Sequence, residues 1–593
     1  MRVGVDTGGT FTDVVGDDGS VVKIASTPRD PASAVGAGIE ALGLGRPGVL
    51  AHGTTVPINA LLQRQGARVA LVSTKGFADV IEIARQSRPS LYDTFVDRPI
   101  PLVSRELRFE VTGRIDASGH RVNELDLTDL DAIPTDVDAV AVCLLHADLD
   151  ATDEIAVAQE LRNRGMDVIC SHEVSPEFRE YERTVTTVAN AYLRPICRRY
   201  LEAIDDLGET VLVMTSAGGL VPAREAAATP AALLLSGPAG GVRAASALVT
   251  ACGFGDAVAF DMGGTSTDVC LIRGGVPEPT SSHTVGGFPI RLPSLSIHTI
   301  GAGGGSIARI DAGGALVVGP NSAGAVPGPA CYGSGTEPTV TDADLVLGRI
   351  PEGTSFPGIG PLRIDLARAA LENAGVSAEG VVRVVDASIE RAVRLVTVSQ
   401  GVDPRELVLV AFGGAGPLHG CAIAEALEMR AVIIPSRAGV FSAVGLLTSP
   451  MQRDLVRSWP TPGSTGGLAD ALRKLENDVS GLLEGSPMVE SFVDCRYEGQ
   501  SHEITVSSIE EFAIEHERRN GYMRPGVQVE VIALRARAQV AAQVDPSALP
   551  ALVRQSARGP EVISEPDCTI WIPNGWRAEP GPLGALLLER SEQ

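Results

Sequence analysis

Lysine is nearly absent from this chain of 593 residues: it occurs only at positions 23, 75 and 474. Acidic residues outnumber basic ones, giving a formal charge of −24 and a pI near 4.9. A broad nucleic-acid or anionic-membrane face needs a basic patch, so neither partner is expected. Any phosphate must be held locally, by loop N–H groups, arginine and metal. No apolar run reaches the ~18 residues of a membrane-spanning helix. The first strand begins within three residues of the start, which leaves no space for a signal peptide. The nine cysteines are scattered, odd in number and never spaced C-x-x-C, which argues against a zinc framework and suits reduced thiols, so a cytoplasmic protein is expected. Between residues 301 and 333, where glycine is densest, neither Walker A nor G-x-G-x-x-G is present. Aromatics make up only 4%, and the Ala/Val-rich remainder suits packed α/β layers in three or four domains.

Glycine is abundant, at 66 residues, and its placement is informative. Val5-Asp6-Thr7-Gly8-Gly9-Thr10-Phe11-Thr12-Asp13-Val14 returns as Phe260-Asp261-Met262-Gly263-Gly264-Thr265-Ser266-Thr267-Asp268-Val269, seven positions being identical at a constant offset. Each copy lies between apolar strands and reads as a β-hairpin with a double-glycine turn. Gly8, Gly9, Gly263 and Gly264 let the backbone approach a ligand and direct N–H groups at phosphate oxygens. Thr10 and Thr265 add hydroxyls, while Asp6 and Asp261, at the ends of the incoming strands, are placed to hold Mg²⁺. Two such loops facing across a cleft grip a nucleoside triphosphate from both sides.

Around these hairpins the pattern is mixed α/β. Residues 20–26 continue the first hairpin as a meander. Residues 49–62 read as strand, polar turn and helix, with Thr55 as N-cap and Gly66 as stop, followed by a strand (68–72) and a helix (78–84) in a mostly parallel sheet. His52, Thr54, Thr55 and Asn59 form a candidate pocket wall at one strand end, although a lone histidine there is more often structural. Arg85 and Arg88 stand on a proline-stiffened loop suited to clamping a carboxylate or phosphate, or simply solvated. Residues 177–207 read as helix interrupted at Pro195, linking two lobes. The glycine turn 236–241 precedes a helix at 242–249 whose N-terminus can face an anion. Residues 301–306, 319–324 and 327–333 are too poor in side chains to build a core, and their prolines favour shaped loops lining the cleft over flexible filler. Gly413, Gly414 and Gly416 form a turn between strand 407–411 and a helix, a natural adenosine platform. Residues 456–466 read as a linker, and the expected domains are 1–190, 191–455 and a small α+β domain at 456–593.

Paired Asp-Gly-Gly-Thr hairpins followed by a late Gly-Gly-x-Gly turn resemble the two-lobed actin/Hsp70/sugar-kinase ATPase fold. The finer motifs resemble the hydantoinase A/5-oxoprolinase family: Gly4 to Asp13, His52-Gly53-Thr54-Thr55, Ser236 to Gly241, Gly301 to Ser306, Pro329-Ala330-Cys331-Tyr332-Gly333 and Gly413 to Pro417. That resemblance implies ATP-dependent phosphorylation of a carbonyl oxygen in 5-oxoproline, a hydantoin or another lactam. Set beside the reading of the loops, with Mg²⁺ at the aspartates, it makes Asp6, Asp261, Asn59 and Arg88 the expected catalytic residues and His52, Thr54, Thr55 and Arg85 the expected substrate contacts. It also implies a B-type partner subunit in a hetero-oligomer; in one respect the chain departs from the family, which generally carries a longer insert between Arg537 and Gly575. Two alternatives stay open: a subunit of an ATP-dependent acetone- or acetophenone-type carboxylase, and a non-catalytic nucleotide-responsive ATPase.

Overall fold

The computed structural model describes residues 1–27, 30–43, 45–356 and 358–591. Continuous β-branched and alanine runs, such as Ala257–Met262, Val408–Phe412 and Ala431–Ile434, form strands that are almost wholly buried, as expected for the centre of a covered parallel sheet. Two large sheets result, and their centres repeat one another. In the first, Val21–Ala25, Phe11–Gly16 and Arg2–Thr7 make an antiparallel meander, extended in parallel by Val49–Thr54 and Thr210–Met214. In the second, Val276–Pro277, Thr267–Arg273 and Ala257–Met262 make the meander, extended in parallel by Val408–Phe412 and Ala431–Ile434. The registers also correspond: Asp6 pairs with Asp13, and Asp261 with Asp268. The sequence repeat is therefore a structural duplication.

Several segments depart from expectation for identifiable reasons. The strand Val69–Thr74 leaves the first sheet and joins a separate parallel one with Arg108–Val111, Ala139–Cys143 and Val168–Cys170. The helix Val56–Leu62 stops at Gln63, before Gly66, where a Cβ would lie 1.9 Å from the Tyr192 ring. Glu180–Asp205 is one helix that runs through Pro195. One turn before it, the Tyr192 carbonyl also accepts from Ala67 N–H at 2.9 Å, which ties the segment leading into strand Val69–Thr74 to this helix. Residues 236–241 form the first turns of the helix Ser236–Ala251 rather than a turn ahead of it. Residues 319–322 belong to the strand Leu316–Ser322.

Apart from the separate hairpin of Glu561–Ser564 and Thr569–Ile572, the strands after 455 divide between the two large sheets. Met451–Ser458 pairs with Val529–Val540, which pairs with Met488–Tyr497, so these strands extend the first sheet. Leu586–Arg590 pairs with Ala431–Ile434 and, with Trp576–Pro580, extends the second. Proline and glycine after residue 459 suggested a linker, yet Trp459 N–H donates to Ile532 O at 2.8 Å and continues the pairing. Strands on either side of the two lobes thus come from one C-terminal stretch.

Candidate active site

The two hairpin turns meet. A Cβ added to Gly264 would lie 3.3 Å from Thr10 Oγ1, which brings the tip of the second turn against the threonine of the first. None of Gly8, Gly9, Gly263 and Gly264 is among the glycines that adopt the left-handed region. Their value is the missing side chain: a Cβ at Gly9 would meet nothing within 4 Å, leaving open space at the turn. The glycine-rich loop at 301–306 shapes the second turn as expected. Gly304 N–H donates to Gly263 O at 3.0 Å, Gly305 N–H to Gly264 O at 2.6 Å, and Thr341 Oγ1 closes the loop onto Gly304 O at 2.8 Å.

Behind the turns sit four carboxylates. Burial, then Asp13 and Asp268, raise the Asp6 carboxyl to about 7, against the opposing pull of Lys23. Burial, then Asp268, Asp6 and Asp13, raise Asp261 to about 8, with Ser442 pulling the other way. Burial raises Asp268 to about 6, opposed by the Thr299 hydroxyl, and raises Asp13 as well. Each carboxylate of one hairpin is therefore within electrostatic reach of the other hairpin. Asp6 Oδ1 is buried without a hydrogen-bond partner among the described residues. Both key aspartates also lie over a glycine of the next strand. A Cβ at Gly53 would be 2.9 Å from Asp6 Oδ1, and one at Gly413 would be 2.3 Å from Asp261 Oδ1. Gly413 has φ +81, so it is required twice, by its conformation and by this close approach. An orphaned carboxylate oxygen inside a cluster with one lysine is a donor set that fits a hard divalent cation.

The two lobes are fastened at this point. The helix Phe441–Leu447 crosses Ser236–Ala251 so closely that a Cβ at Gly445 would lie 1.8 Å from Gly240 O. Ser442 Oγ donates to Asp261 Oδ2 at 3.2 Å, and a Cβ at Gly4 would lie 2.3 Å from Ala443 O. Lys23 Nζ pairs with Asp13 at 2.8 Å and donates to Gly439 O at 3.0 Å, one turn before that helix. Sequence reasoning gave no role to Asp13, Asp268, Lys23 or Ser442. The repeat itself contained the two aspartates, and Lys23 is one of three lysines, but nothing in the sequence marked Ser442.

The remaining expected site residues divide. His52 is a buried member of strand Val49–Thr54 and faces no pocket: Nδ1 lies 3.1 Å from Val5 O and Nε2 2.6 Å from Tyr200 Oη, and burial lowers its pKa to about 4. Thr54 exchanges hydrogen bonds with Ser236 Oγ at 3.1 and 2.9 Å, and Thr55 Oγ1 donates to Thr7 O at 3.0 Å, so both brace the turn. Asn59 is exposed on the helix that follows. Arg85 is bound to Glu182, with Nε 2.9 Å from Oε1, and Arg88 projects from an exposed segment. At the proposed adenosine turn, Gly413, Gly414 and Gly416 lead into the helix Gly416–Ala426. There the buried His419 links Asp386 (2.7 Å) and Asp344 (3.3 Å). Burial alone would depress its pKa, but the two carboxylates raise it to about 10.

Two meander-and-crossover lobes whose acidic hairpin turns meet define a mixed α/β, actin-like ATPase fold. The chain belongs to the hydantoinase/oxoprolinase family: residues 2–165 match the hydantoinase/oxoprolinase N-terminal region and residues 183–454 the hydantoinase/oxoprolinase family itself. It is 33% identical to the caprolactamase alpha subunit of Pseudomonas jessenii, over 98% of each chain. The crystal structure of that ATP-dependent caprolactamase superposes with a TM-score of 0.87 at 30% identity over the whole of both chains. The chain is 32% identical to 5-oxoprolinase 1 of Arabidopsis thaliana, across 85% of its own length and 46% of that protein's. It is 34% identical to the acetophenone carboxylase gamma subunit of Aromatoleum aromaticum, over 75% of this chain and 67% of that one. Among the described residues no helix is long and apolar enough to cross a membrane.

Proposed function

We propose that this chain is an ATP-dependent hydrolase subunit that transfers the terminal phosphoryl group of ATP to the carbonyl oxygen of a cyclic amide, in concert with a B-type partner subunit. The observation that carries the reading is the approach of Thr10 to Gly264, which gives one phosphate chain two glycine-bent turns to rest between. A lactam carbonyl is a poor electrophile. Its oxygen bonds to the phosphorus as ADP departs, and the ring nitrogen gives its proton to water. Water then adds to the activated carbon, the C–N bond breaks with a proton returning to nitrogen, and a second water hydrolyses the resulting acyl phosphate to carboxylate and phosphate. Phosphoryl transfer of this kind needs in-line positioning and charge stabilisation more than covalent participation. Thr10, Thr265 and the turn N–H groups supply donors to phosphate oxygens, and the turn Gly413 to Gly416 receives the nucleoside. Mg²⁺ bound by Asp6 and Asp261 would neutralise charge developing on the phosphates. Asn59, exposed beyond the Thr54-Thr55 turn, is the side chain of that set left free to meet a substrate.

Likeness to the caprolactamase supports a lactam, and likeness to the acetophenone carboxylase subunit supports a second reading in which the phosphorylated species is a ketone enolate. One screen separates them: ATP turnover with 5-oxoproline, hydantoin, caprolactam, or acetone plus bicarbonate, each with and without the B-type subunit. Stimulation by one cyclic amide, without bicarbonate, is the expected result. Bicarbonate-dependent stimulation by the ketone alone would replace the first reading with the second. Nucleotide-induced closure with no stimulation by any compound would remove both.

A further inference from the structure

Six large apolar side chains are exposed between Ile83 and Ile100: Ile83, Leu91, Tyr92, Phe95, Val96 and Ile100. Leu91 is 77% exposed, Tyr92 97%, Phe95 93% and Ile100 79%. Elsewhere such residues stand singly or in pairs, which is normal for a protein surface, whereas a concentration of this kind marks an interaction site. The segment is nevertheless built. Arg85 fixes its start to Glu182, and Arg98 Nη1 donates back to Ile83 O at 2.6 Å. Tyr92 and Asp93 N–H donate to Ser90 Oγ at 3.3 and 3.0 Å, and Phe95 N–H to Asp93 Oδ1 at 2.9 Å. At its end Pro99 rests on the hairpin of His283–Val285 and Phe288–Ile290, where a Cβ at Gly287 would lie 2.3 Å from Pro99 Cγ. The rings are held outward by capped turns and anchored ends, so little ordering remains to be done on binding.

We propose that this face, centred on Leu91, Tyr92 and Phe95, is where the B-type partner subunit docks; the proposal rests on the reading of the chain as one component of a two-component hydrolase. The occupant is argued from the relatives. The caprolactamase chain that matches from end to end is called a subunit, and in 5-oxoprolinase 1 the matched region is 46% of the polypeptide. In such a single chain the remaining half lies tethered to the matched half, and in this protein the corresponding contact must be made between chains. The chemistry suits a protein surface: tyrosine, phenylalanine and arginine are the residues enriched at interface centres, and lysine, depleted there, is absent from the segment. Arg88 has no ion-pair partner among the described residues, so the partner is expected to bring an apolar patch rimmed by a carboxylate. The placement is also apt. The hairpin beneath Pro99 touches Leu62, a Cβ at Gly286 lying 3.1 Å from Leu62 Cδ2, and Leu62 ends the helix that begins beside Thr55. A partner here sits at the far end of the helix that carries Asn59.

The test is co-expression of the full chain with the B-type subunit of the same organism, followed by titration in the analytical ultracentrifuge. The variants are the double substitution Tyr92→Ser with Phe95→Ser and, separately, Arg88→Glu. The double variant is expected to weaken assembly at least about 30-fold, while melting temperature and basal ATP turnover stay as in the wild type. Arg88→Glu is expected to weaken it about 10-fold and to make it less sensitive to salt. Undiminished assembly by the double variant would overturn the docking face and leave the two-component reading standing. Failure of the wild type to bind the B-type subunit would overturn both. Wild-type self-association that the double variant abolishes, with B-type binding unchanged, would assign the face to a second copy of this chain and so refute the proposal.

Discussion

The two hairpins are alike in backbone and register but differ in what balances their charge. In the first, Asp13 is paired with Lys23, which also lowers the Asp6 carboxyl by electrostatic attraction. In the second, Asp268 has the uncharged Thr299 hydroxyl, and Asp261 has Ser442. Asp261 is accordingly raised further, to about 8, than Asp6, at about 7. A duplicated motif has become asymmetric: one half carries its own cation, and the other has only uncharged partners, so under the proposed function the metal that comes with the nucleotide would balance it. A lysine in each half would leave two formal negative charges on the four carboxylates instead of three and so weaken the attraction for a divalent ion.

The comparison is broken most completely by Asp261→Asn, expected to lower ATP turnover on the order of 1000-fold, with Asp6→Asn close behind. Steady-state turnover at saturating Mg²⁺ measures both, and near-normal activity in either variant would end the assigned role. Apo stability sharpens the same point. The Asp261 carboxyl titrates in the fold well above its unfolded value of 3.8, so the folded state holds a proton that the unfolded chain releases. Its ionisation therefore costs stability progressively as the pH rises from about 4, and the cost is complete above about 8. Asp261→Asn is expected to raise the melting temperature by a few degrees at pH 8.5 and to leave it unchanged near pH 4.

Lys23→Met makes the first hairpin resemble the second. Turnover is expected to fall about 10-fold, and the acidic limb of its pH profile to move to higher pH by about one unit, because carboxylates without that attraction ionise later. An unmoved limb would show that Lys23 acts only as a brace between Asp13 and Gly439. In the wild type, apparent Mg²⁺ affinity should strengthen as the pH rises from 6 to 8, since protons compete for Asp6 and Asp261; equilibrium dialysis with an ATP analogue would measure it. The smallest effect is expected for Asn59→Ala, a few-fold loss of stimulation by the cyclic amide with nucleotide affinity retained.

The repeat around Asp6 and Asp261 was legible because a hairpin, its turn and its strand ends are local in sequence, and the copies confirm each other. The Gly413 turn was legible for the same reason. What misled was context. His52 sits beside threonines in a motif that reads as a pocket, yet the partners that bury it, Val5 O and Tyr200 Oη, come from a neighbouring strand and a helix far along the chain. Arg85 reads as a free clamp until Glu182 is brought beside it. The strand content of 456–458 was hidden by nearby proline and glycine, since pairing with Val529–Val540 depends on residues more than seventy positions away.

By itself the sequence determined the duplication, the local bends at Gly8-Gly9 and Gly263-Gly264, and the family, because these depend on short-range chemistry and on motif identity. Only the tertiary structure decided that the two bends meet, that Lys23 serves one of them alone, and that the C-terminal strands buttress both sheets. Burial and long-range pairing set those outcomes. A carboxylate at the end of a strand is ordinary until a second lobe removes its water and places another negative charge within reach.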